Sequence, residues 1–594
     1  MTGRRTKGCA RVARRARASA PRLSVTRMSQ NGDSGLRMAK SVPFERRAAF
    51  TRLRSAPPLL LAAALALAAL IAFLPGQSAL PPSDRDEARF AQASKQMLER
   101  GDFADIRFQD QPRHNKPVGI YWLQAASAAL AGGPEAATIA AYRVPSWVGA
   151  AAAAGLTAWA VAPLIGAPAG LAAGAFLAAS VLLGVEARIA KTDAALLAVV
   201  VLAMGALARV MLEPARKGAA RLFWAAVGVG VLLKGPIVLI PPAGAILWRL
   251  ATERSLAALH GLRWGEGALI ALAIAAPWLV AITLATDGAF WTRSLGEDLL
   301  AKVATGRESH GAPPGLYLAI FWGTFWPMAA LAPLAAVALW RRRATLAGRV
   351  LLGWIVPTWL LFELVATKLP HYVLPAYPAI AAAIAWMLVE GAAPETPRWA
   401  RRALLALFAL PALAIPLGAM AAPPVIEGRV AWGAVALGAA ALAPLALAAR
   451  ALGDWRLGAF AAFAVPGAAL AQAAAFGFAL PALETAFPAP RMAAAAAAHR
   501  CAPGPVAITE YGEPSAVFAL GTDTLVADGA EAAAALTGGR VALAFVGARD
   551  KADFLKALEG RATEAEAVTT VTGFNYSKGR RAHLTLWRRA GGCD

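Results

Sequence analysis

Acidic, basic and aromatic side chains are concentrated in one loop that follows the first long apolar run of the chain, residues 84–122 (DRDEARFAQASKQMLERGDFADIRFQDQPRHNKPVGIYW). The chain as a whole is 58% hydrophobic and only 16% charged. Carboxylates and ammonium groups beside a bilayer are costly to desolvate, so their density in this loop indicates work on a charged substrate at the membrane surface.

Asp86 is the first candidate for an acid with a chemical role. Asp86 precedes Phe90 and Met97 at the spacing of one helix face, so it would head an otherwise apolar face. A simpler interpretation is that Ser83 and Asp86 match the spacing of a capping box, where an acid favours the start of a helix. The local pattern leaves both interpretations open.

Lys116 is the second candidate, because it stands beside Pro117 and just before the aromatic pair Tyr121 and Trp122. A lysine at a membrane interface usually extends its stem along apolar groups and leaves its charge in water. A role as a phosphate anchor is the alternative, and the sequence leaves both open.

Three further polar segments separate apolar runs: the turn from Glu186 to Asp193, the loop 285–315 with Lys302, and the turn 367–372. The first of these is also compatible with a solvated loop with internal ion pairs, and His371 in the last turn is more simply interpreted as structural than as a ligand. The chain has no Walker loop, GxSxG or CxxC pattern and no metal-ligand spacing of strong specificity, so the cofactor is unknown and a divalent metal is possible.

These polar segments must be positioned by a helical bundle. A chain of 594 residues with a mean hydropathy of +0.52 cannot hide its apolar surface in a soluble core, so it is predicted to be a polytopic membrane protein. About thirteen runs have spanning length. The runs are 57–74, 138–163, 168–186, 193–212, 222–233, 236–248, 266–284, 316–340, 350–366, 372–390, 403–421, 431–449 and 457–480.

Arginine and lysine counts predict the orientation. Residues 1–56 carry 15 Lys and Arg against Asp33 and Glu45, which favours a cytoplasmic tail on anionic lipid over nucleic-acid binding, with Met28 and Met38 as alternative starts. The loops before and after the segment around Lys234-Gly235-Pro236 are both basic and hence both predicted to be cytoplasmic. An even number of crossings must lie between them, which means two tight spans or a re-entrant hairpin. The polar segments and the C-terminus then share the outer face.

The composition changes again near residue 496. Segments 505–512, 516–521, 523–528, 540–547 and 583–589 are predicted as short strands, and 550–560 as an amphipathic helix. The domains are therefore predicted as a basic tail (1–56), a transmembrane domain (57–495) with an external loop (75–137), and a small α/β domain (496–594). Cys501 and Cys593 bracket this domain and are either a disulfide or two unrelated thiols.

The order of motifs resembles one known family. DEARFAQASKQML followed by NKPVGIYWLQA is similar to the first external loop of the bacterial aminoarabinose transferases and protein mannosyltransferases. The resemblance continues in ARIAKTDAALL at 187–197, VLLKGP at 231–236, APW at 276–278 and TKLPHYVLPAYPA at 367–379. It therefore covers most of residues 57–390.

The resemblance implies the GT-C fold of membrane glycosyltransferases, a polyprenyl-phosphate-linked sugar donor and an active site on the periplasmic face of the bacterial inner membrane. Asp86 and Asp193 match the two acids of the family, and Lys116 matches its phosphate-contacting lysine, while Lys302 is a looser counterpart of a later cation. Aminoarabinose transferases have Glu-Lys-Pro where this chain has Asn115 before Lys116, which removes a charged ligand there.

The expected function is transfer of a sugar from a polyprenyl phosphate to an envelope acceptor: a glycolipid such as lipid A, another glycan or a protein. Lys116, Lys302 and Arg89 would stabilise the leaving phosphate, and Asp86 or Asp193 would orient or deprotonate the acceptor. The accessory candidates are Glu87, Asn115, Tyr121, Lys368 and His371. The rival readings are a transporter or flippase without covalent chemistry and a structural envelope protein; no nucleic-acid partner is expected.

Overall fold

The computed structural model describes residues 58–254, 257–294, 296, 311–559 and 564–591. The predicted basic tail, Lys302 and Cys593 lie outside these residues. Cys501 is disulfide-bonded.

Long apolar helices make up the larger part of the described chain. Each of the predicted apolar runs lies on helical residues, as their length and Ala- and Leu-rich composition require. The helices of this part are α1 (Pro58–Phe73), α2 (Asp86–Arg100), α3 (Gly119–Leu130), α4 (Ile139–Ile165), α5 (Ala167–Ala179), α6 (Val181–Glu186), α7 (Asp193–Leu212), α8 (Lys217–Lys234), α9 (Ile240–Glu253), α10 (Ala257–His260), α11 (Trp264–Ala285), α12 (Ala289–Trp291), α13 (Leu316–Thr324), α14 (Ala332–Arg341), α15 (Leu346–Leu364), α16 (Tyr377–Val389), α17 (Arg398–Glu427), α18 (Trp432–Gly453) and α19 (Leu457–Ala474).

The number of spans differs from the predicted thirteen when judged by helix length alone. Nine helices in the described residues are long and apolar enough to cross a membrane, or ten if the pair α13 and α14, bent by 119°, counts as one. Two predicted runs hold shorter apolar helices, because the first is α1 and the third breaks at Ser180 between α5 and α6. Thirteen therefore stays a prediction.

The apolar stretch Lys217–Glu253 counts as one span by composition, but its contacts show a reversal. Lys234 Nζ at the end of α8 lies 2.5 Å from Asp193 Oδ1 at the start of α7. Arg249 Nη1 in α9 lies 3.5 Å from the Met211 carbonyl oxygen near the end of α7. The chain therefore turns back at the 3₁₀ segment Gly235–Leu239 and passes along α7 twice, in agreement with the even number of crossings predicted from charge.

Small residues allow the central helices to approach closely. A Cβ atom at Gly155 would lie 2.4 Å from the Ala62 carbonyl oxygen, and one at Gly174 would lie 2.3 Å from that of Ala154. Helices α1, α4 and α5 thus touch backbone to backbone, the mode of packing that small residues permit in membrane helices.

The loop after α1 contains α2, a short hairpin of β1 (Arg107–Phe108) and β2 (Gln111–Pro112), and α3. Phe90, Ala93 and Met97 are buried, which confirms the predicted apolar face of α2. Asp86, by contrast, is exposed. Helix α2 ends at Gly101, whose φ of 65° is the left-handed conformation that glycine adopts without strain.

The C-terminal segment contains a five-stranded mixed sheet in the order β4-β3-β5-β7-β6. Strands β3, β4 and β5 are parallel, while β7 pairs antiparallel with β5 and β6. Its elements are α20 (Pro488–His499), β3 (Val506–Ile508), α21 (Pro514–Leu520), β4 (Leu525–Val526), α22 (Gly529–Thr537), β5 (Leu543–Gly547), α23 (Lys551–Ala557), β6 (Ala565–Asn575) and β7 (Arg580–Arg589).

One strand prediction in this segment is wrong. Of the predicted strand 516–521, residues 516–520 belong to α21 and Gly521 follows the end of that helix. Five of the six residues after Pro514 in this helix are apolar, and so short an apolar run does not separate helix from strand by its period. Pro514 occupies the first turn, where its missing N–H costs nothing. The helix packs Phe518 edge-on against Tyr142 of α4, with ring centroids 5.5 Å apart.

Candidate active site

Five ionisable side chains from four elements form one cluster, which we call the charge cluster: Glu186, Lys191, Asp193, Lys234 and His371. Asp193 is the first residue of α7 and Lys234 is the last of α8, so the antiparallel pairing of these helices brings the two together. Glu186 ends α6, and Lys191 lies in the turn between α6 and α7. All five are therefore held at helix ends on the face of the bundle that carries the loop 75–137, the loop face.

Lys191 lies at the centre of the charge cluster. Its Nζ is 3.1 Å from Glu186 Oε1, 3.1 Å from His371 Nδ1 and 3.3 Å from Asp193 Oδ2. Burial alone would lower the pKa of Lys191, but the carboxylates of Glu186 and Asp193 raise it above its ordinary value. The two carboxylates therefore favour the charged form of Lys191.

His371 lies in the 3₁₀ segment Pro370–Ala376. Its Nδ1 lies 3.7 Å from Glu186 Oε1, and its Nε2 lies 3.7 Å from Asp193 Oδ2. The imidazole thus faces both carboxylates and stands beside the Lys191 ammonium.

Two cavities meet at His371. The smaller, the apolar cavity, has a volume of about 170 Å³ and is lined by aliphatic and aromatic side chains together with Lys116, Asp193 and Lys234. The larger, the polar cavity, has a volume of about 610 Å³ and is lined by Asp86, Arg89, Lys191 and other polar groups. His371 belongs to both walls. The two predicted acids therefore face different cavities across one imidazole.

Glu87, not Asp86, makes the capping interaction at the start of α2. Ser83 donates to Glu87 Oε2 from both its backbone N and its Oγ, at 2.8 Å each. The acid that pairs with Ser83 is therefore one residue later than the capping-box interpretation of Asp86 assumed, and the helix itself begins at Asp86. This leaves the Asp86 carboxylate directed at the polar cavity.

Glu87 has a structural role rather than one in contact with a substrate. Its carboxylate lies 2.7 Å from Arg143 Nε and accepts from the backbone N–H of Ala190 at 3.0 Å. Burial alone would raise the pKa of Glu87, but the Arg143 guanidinium holds that pKa below its ordinary value. Glu87 thus ties the start of α2 to α4 and to the turn that carries Lys191.

Of the other predicted site residues, some line a cavity and others do not. Arg89 lines the polar cavity and Lys116 the apolar one, whereas Asn115 is exposed next to Lys116. Tyr121 is fully buried in the core, stacked on the Phe90 ring at 5.2 Å. Lys368 turns away from both cavities and donates to the carbonyl oxygens of two residues at the end of α15, Glu363 and Val365.

The side chains of the charge cluster can be compared with the ligands that a divalent metal ion requires. Among the described residues, Glu186, Asp193 and His371 offer three ligand atoms within 4.8 Å of one another. The Lys191 ammonium already stands 3.1 to 3.3 Å from an atom of each. The residues as they stand do not fit a metal ion, because the place of the ion is taken by a cation of the chain.

The sequence had singled out Asp193 and His371, but the importance of Lys191 and Lys234 was missed. Lys191 was assigned to a charged turn, and Lys234 was considered only as part of the break between two apolar runs. A buried lysine next to helix-breaking Gly235 was the available signal, since a charge in a spanning run rarely persists without a partner. The partner, Asp193, is 41 residues away in sequence.

The C-terminal segment closes the polar cavity. Glu513, Ser577 and Lys578 contribute to its wall, the last two from the turn between β6 and β7. The Tyr576 hydroxyl accepts from the Asp84 backbone N–H at 2.5 Å, and the Tyr511 hydroxyl donates to Asp84 Oδ2 at 3.0 Å. Bundle and C-terminal segment accordingly belong to one compact unit.

Comparisons with known sequences agree with the resemblance of the motifs. A family model described as dolichyl-phosphate-mannose-protein mannosyltransferase matches residues 115–280. An undecaprenyl phosphate-alpha-4-amino-4-deoxy-L-arabinose arabinosyl transferase from Enterobacter sp. (strain 638) is 28% identical over 317 residues, which cover 50% of this chain and 54% of the relative. Its counterpart from Pectobacterium carotovorum subsp. carotovorum (strain PC1) is 30% identical over 354 residues, covering 56% and 61%. The chain thus spans little more than half the length of the curated relatives it matches.

The architecture also has a known counterpart. The crystal structure of ArnT from Cupriavidus metallidurans bound to undecaprenyl phosphate superposes with a TM-score of 0.67 at 20% identity, over 89% of this chain and 97% of that one. The apo crystal structure of the same protein gives a TM-score of 0.68 at 19% identity. At this identity the likeness establishes the shared fold. The sequence matches add that the chain is similar to aminoarabinose transferases over part of their length.

Proposed function

We propose that this protein is a glycosyltransferase that moves a sugar from a polyprenyl phosphate to an acceptor of the bacterial envelope. The observation that carries the proposal is the junction of the two cavities at His371. One cavity offers apolar walls and two ammonium groups, and the other offers polar walls and a free-facing carboxylate. A lipid-borne donor and a hydrophilic acceptor can meet there across a single side chain.

The apolar cavity suits the donor. Its hydrophobic walls accommodate isoprene units, while Lys116 and Lys234 place positive charge where the phosphate would lie. Preorganised cations in a site of low dielectric stabilise a leaving phosphate more strongly than water does. The carrier we favour is a polyprenyl phosphate of the kind that the names of the relatives contain, undecaprenyl phosphate.

The polar cavity suits the acceptor. Its volume of about 610 Å³ admits a sugar ring with its substituents. Of the four acids in its wall, Asp86 is the exposed one: Glu87 makes the capping interaction, Asp84 is buried, and Glu513 is buried and accepts a hydrogen bond from Asn575. In the proposed reaction the acceptor oxygen attacks carbon 1 of the sugar. The bond from carbon 1 to the phosphate oxygen breaks, the electron pair leaves with the phosphate, and the acceptor proton passes to Asp86.

Asp193 has a different role from Asp86 in this scheme. Lys234 and Lys191 hold its carboxylate at 2.5 Å and 3.3 Å, so it is fixed in place between the cations and the sugar position. A carboxylate held there stabilises positive character on the sugar as its bond to the phosphate lengthens. We therefore assign proton transfer to Asp86 and electrostatic stabilisation to Asp193.

We further propose that the loop face lies outside the cytoplasm, in the periplasm. Support comes from the arginines at the opposite helix ends, such as Arg341, Arg342 and Arg349, since basic loops are retained on the cytoplasmic side. An impermeant thiol reagent on intact cells should label a cysteine placed at Asp110 in the loop and spare one placed at Arg343.

The decisive experiment measures release of free carrier. Purified protein is incubated with sugar-loaded polyprenyl phosphate and an envelope glycolipid, and Asp86→Asn is expected to lower turnover by at least about a hundredfold, the scale for a positioned base. Asp110→Asn, an exposed acid of the same loop, is the matched control and should retain turnover. Normal turnover in Asp86→Asn would remove that residue from the reaction. Movement of the carrier across vesicles without bond cleavage would instead establish a flippase.

A further inference from the structure

The Lys191 side chain stands where a metal ion would stand, and its surroundings are built to keep it there. We propose that Lys191 is an internal cation that replaces a divalent metal in the charge cluster, and that its removal converts Glu186, Asp193 and His371 into a metal-binding site. This inference goes beyond the proposed transfer reaction, because metal binding by a variant can be observed without any substrate.

The donors and acceptors match in number. An ammonium group has three N–H donors and no acceptor. Lys191 Nζ has an acceptor atom from each of three side chains at 3.1, 3.1 and 3.3 Å, namely Glu186 Oε1, His371 Nδ1 and Asp193 Oδ2. These are the same side chains whose ligand atoms lie within 4.8 Å of one another. The ammonium therefore uses the complete ligand set of a three-coordinate protein site.

The backbone of Lys191 is also fixed. Its N–H donates to Ser146 Oγ at 3.1 Å, and the same hydroxyl donates to the Lys191 carbonyl oxygen at 2.8 Å. Ser146 is fully buried in α4. These two hydrogen bonds fix the backbone from which the Lys191 side chain extends into the charge cluster.

Charge balance excludes a metal beside Lys191. Two carboxylates, Glu186 and Asp193, face two ammonium groups, Lys191 and Lys234, so the buried cluster is neutral when His371 is neutral. A divalent ion added to this set would leave two uncompensated positive charges in a buried site, which is strongly unfavourable. Without Lys191 the set carries one net negative charge and can accept a divalent ion.

The ligand geometry then requires only a small contraction. Zinc binds imidazole nitrogen and carboxylate oxygen at about 2.0 to 2.2 Å. The three ligand atoms would each move about 1 Å towards the position that the ammonium nitrogen now holds. Glu186 Oε2 has no hydrogen-bond partner in the described structure, so this second oxygen is available as a ligand atom.

The test uses cobalt(II), whose visible absorption reports ligands at a tetrahedral or five-coordinate site. Full-length protein in detergent is titrated with Co²⁺ alone. Lys191→Ala is expected to bind one Co²⁺ with new visible bands and at least about tenfold more tightly than wild type. Lys191→Met fills the same volume with no charge and should show no such bands, and the double variant Lys191→Ala/His371→Ala should lose them.

Two results would overturn the proposal. The first is a folded, monodisperse Lys191→Ala protein that shows no cobalt bands attributable to His371. The second is a wild-type enzyme whose carrier release is abolished by a chelator and restored by a divalent ion. If wild type releases no carrier at all, the proposed transfer reaction fails, but the cobalt titration still decides the role of Lys191.

Discussion

Glu87→Gln is predicted to destabilise the protein severely, although the substitution changes no volume. The side chains of Glu87 and Arg143 are both inaccessible to solvent, and the carboxylate accepts hydrogen bonds from Ser83, Arg143 and Ala190. A glutamine would turn an N–H₂ group towards one of these donors and leave the Arg143 charge without its counter-charge. Removing one partner of a buried ion pair costs about 3 to 5 kcal/mol.

The assay is thermal unfolding of purified protein in detergent, followed by intrinsic fluorescence and by size-exclusion chromatography. A loss of 3 kcal/mol or more corresponds to a fall in Tm of about 2 °C or more for a chain of 594 residues. The matched control is Glu266→Gln, a carboxylate that pairs with Arg221 at 2.6 Å but is exposed, where little change is expected because solvent screens the pair. An equal effect of the two substitutions would refute the structural role of Glu87.

The same carboxylate predicts a pH dependence with a definite sign. Its pKa in the folded state lies below its ordinary value, because the Arg143 guanidinium outweighs the effect of burial. A depressed carboxylate pKa contributes stability above the ordinary value of about 4.3, and that contribution is lost as the pH falls below it. Wild type should therefore lose more Tm between about pH 5 and pH 3 than Glu87→Gln does.

Three further outcomes follow from the cavities and from the contacts of the C-terminal segment. Lys234→Met should lower carrier release by about a hundredfold, the scale for one electrostatic group, while Lys217→Met at the opposite end of α8 should retain it; a small loss at Lys234 would exclude it from the phosphate site. Lys578→Ala should raise the acceptor KM several-fold and leave the donor KM unchanged. A change in the donor KM alone would contradict the assignment of Lys578 to the acceptor site. Burial raises the pKa of Asp84, so its contribution to stability is lost as the pH rises through that pKa. Asp84→Asn should therefore match wild type near pH 4 and exceed its Tm near pH 8, and a lower Tm at pH 8 would contradict this.

The sequence predicted helices well where the apolar residues were long continuous runs or followed the helical period. The apolar runs are helices and the buried face of α2 is as expected, because a spanning helix satisfies its own backbone and needs only length and apolar composition. Short apolar segments were less certain, as residues 516–521 show, since a strand and a two-turn helix of Ala, Val, Phe and Leu look alike in sequence.

The site was predicted in part, and the limits have a physical origin. Asp86, Lys116 and Asp193 reach the two cavities, and these positions came from the order of motifs rather than from any local period. The contacts of Lys191 and Lys234 depend on how α6, α7 and α8 pack, and sequence spacing carries no information about such a distance. Lys368 and Tyr121 show the reverse error: their side-chain types suited a site, but the backbone turns one towards helix-end carbonyls and the other into the core.

The wall contributed by the turn between β6 and β7 has a consequence for biogenesis. Asp84 and Tyr576, which touch at the rim of the polar cavity, are separated by 492 positions in the chain. During synthesis the membrane helices and the charge cluster are inserted long before the last strand pair emerges. The polar cavity therefore gains this part of its wall only after the last strands have been synthesised and have docked on the loop after α1.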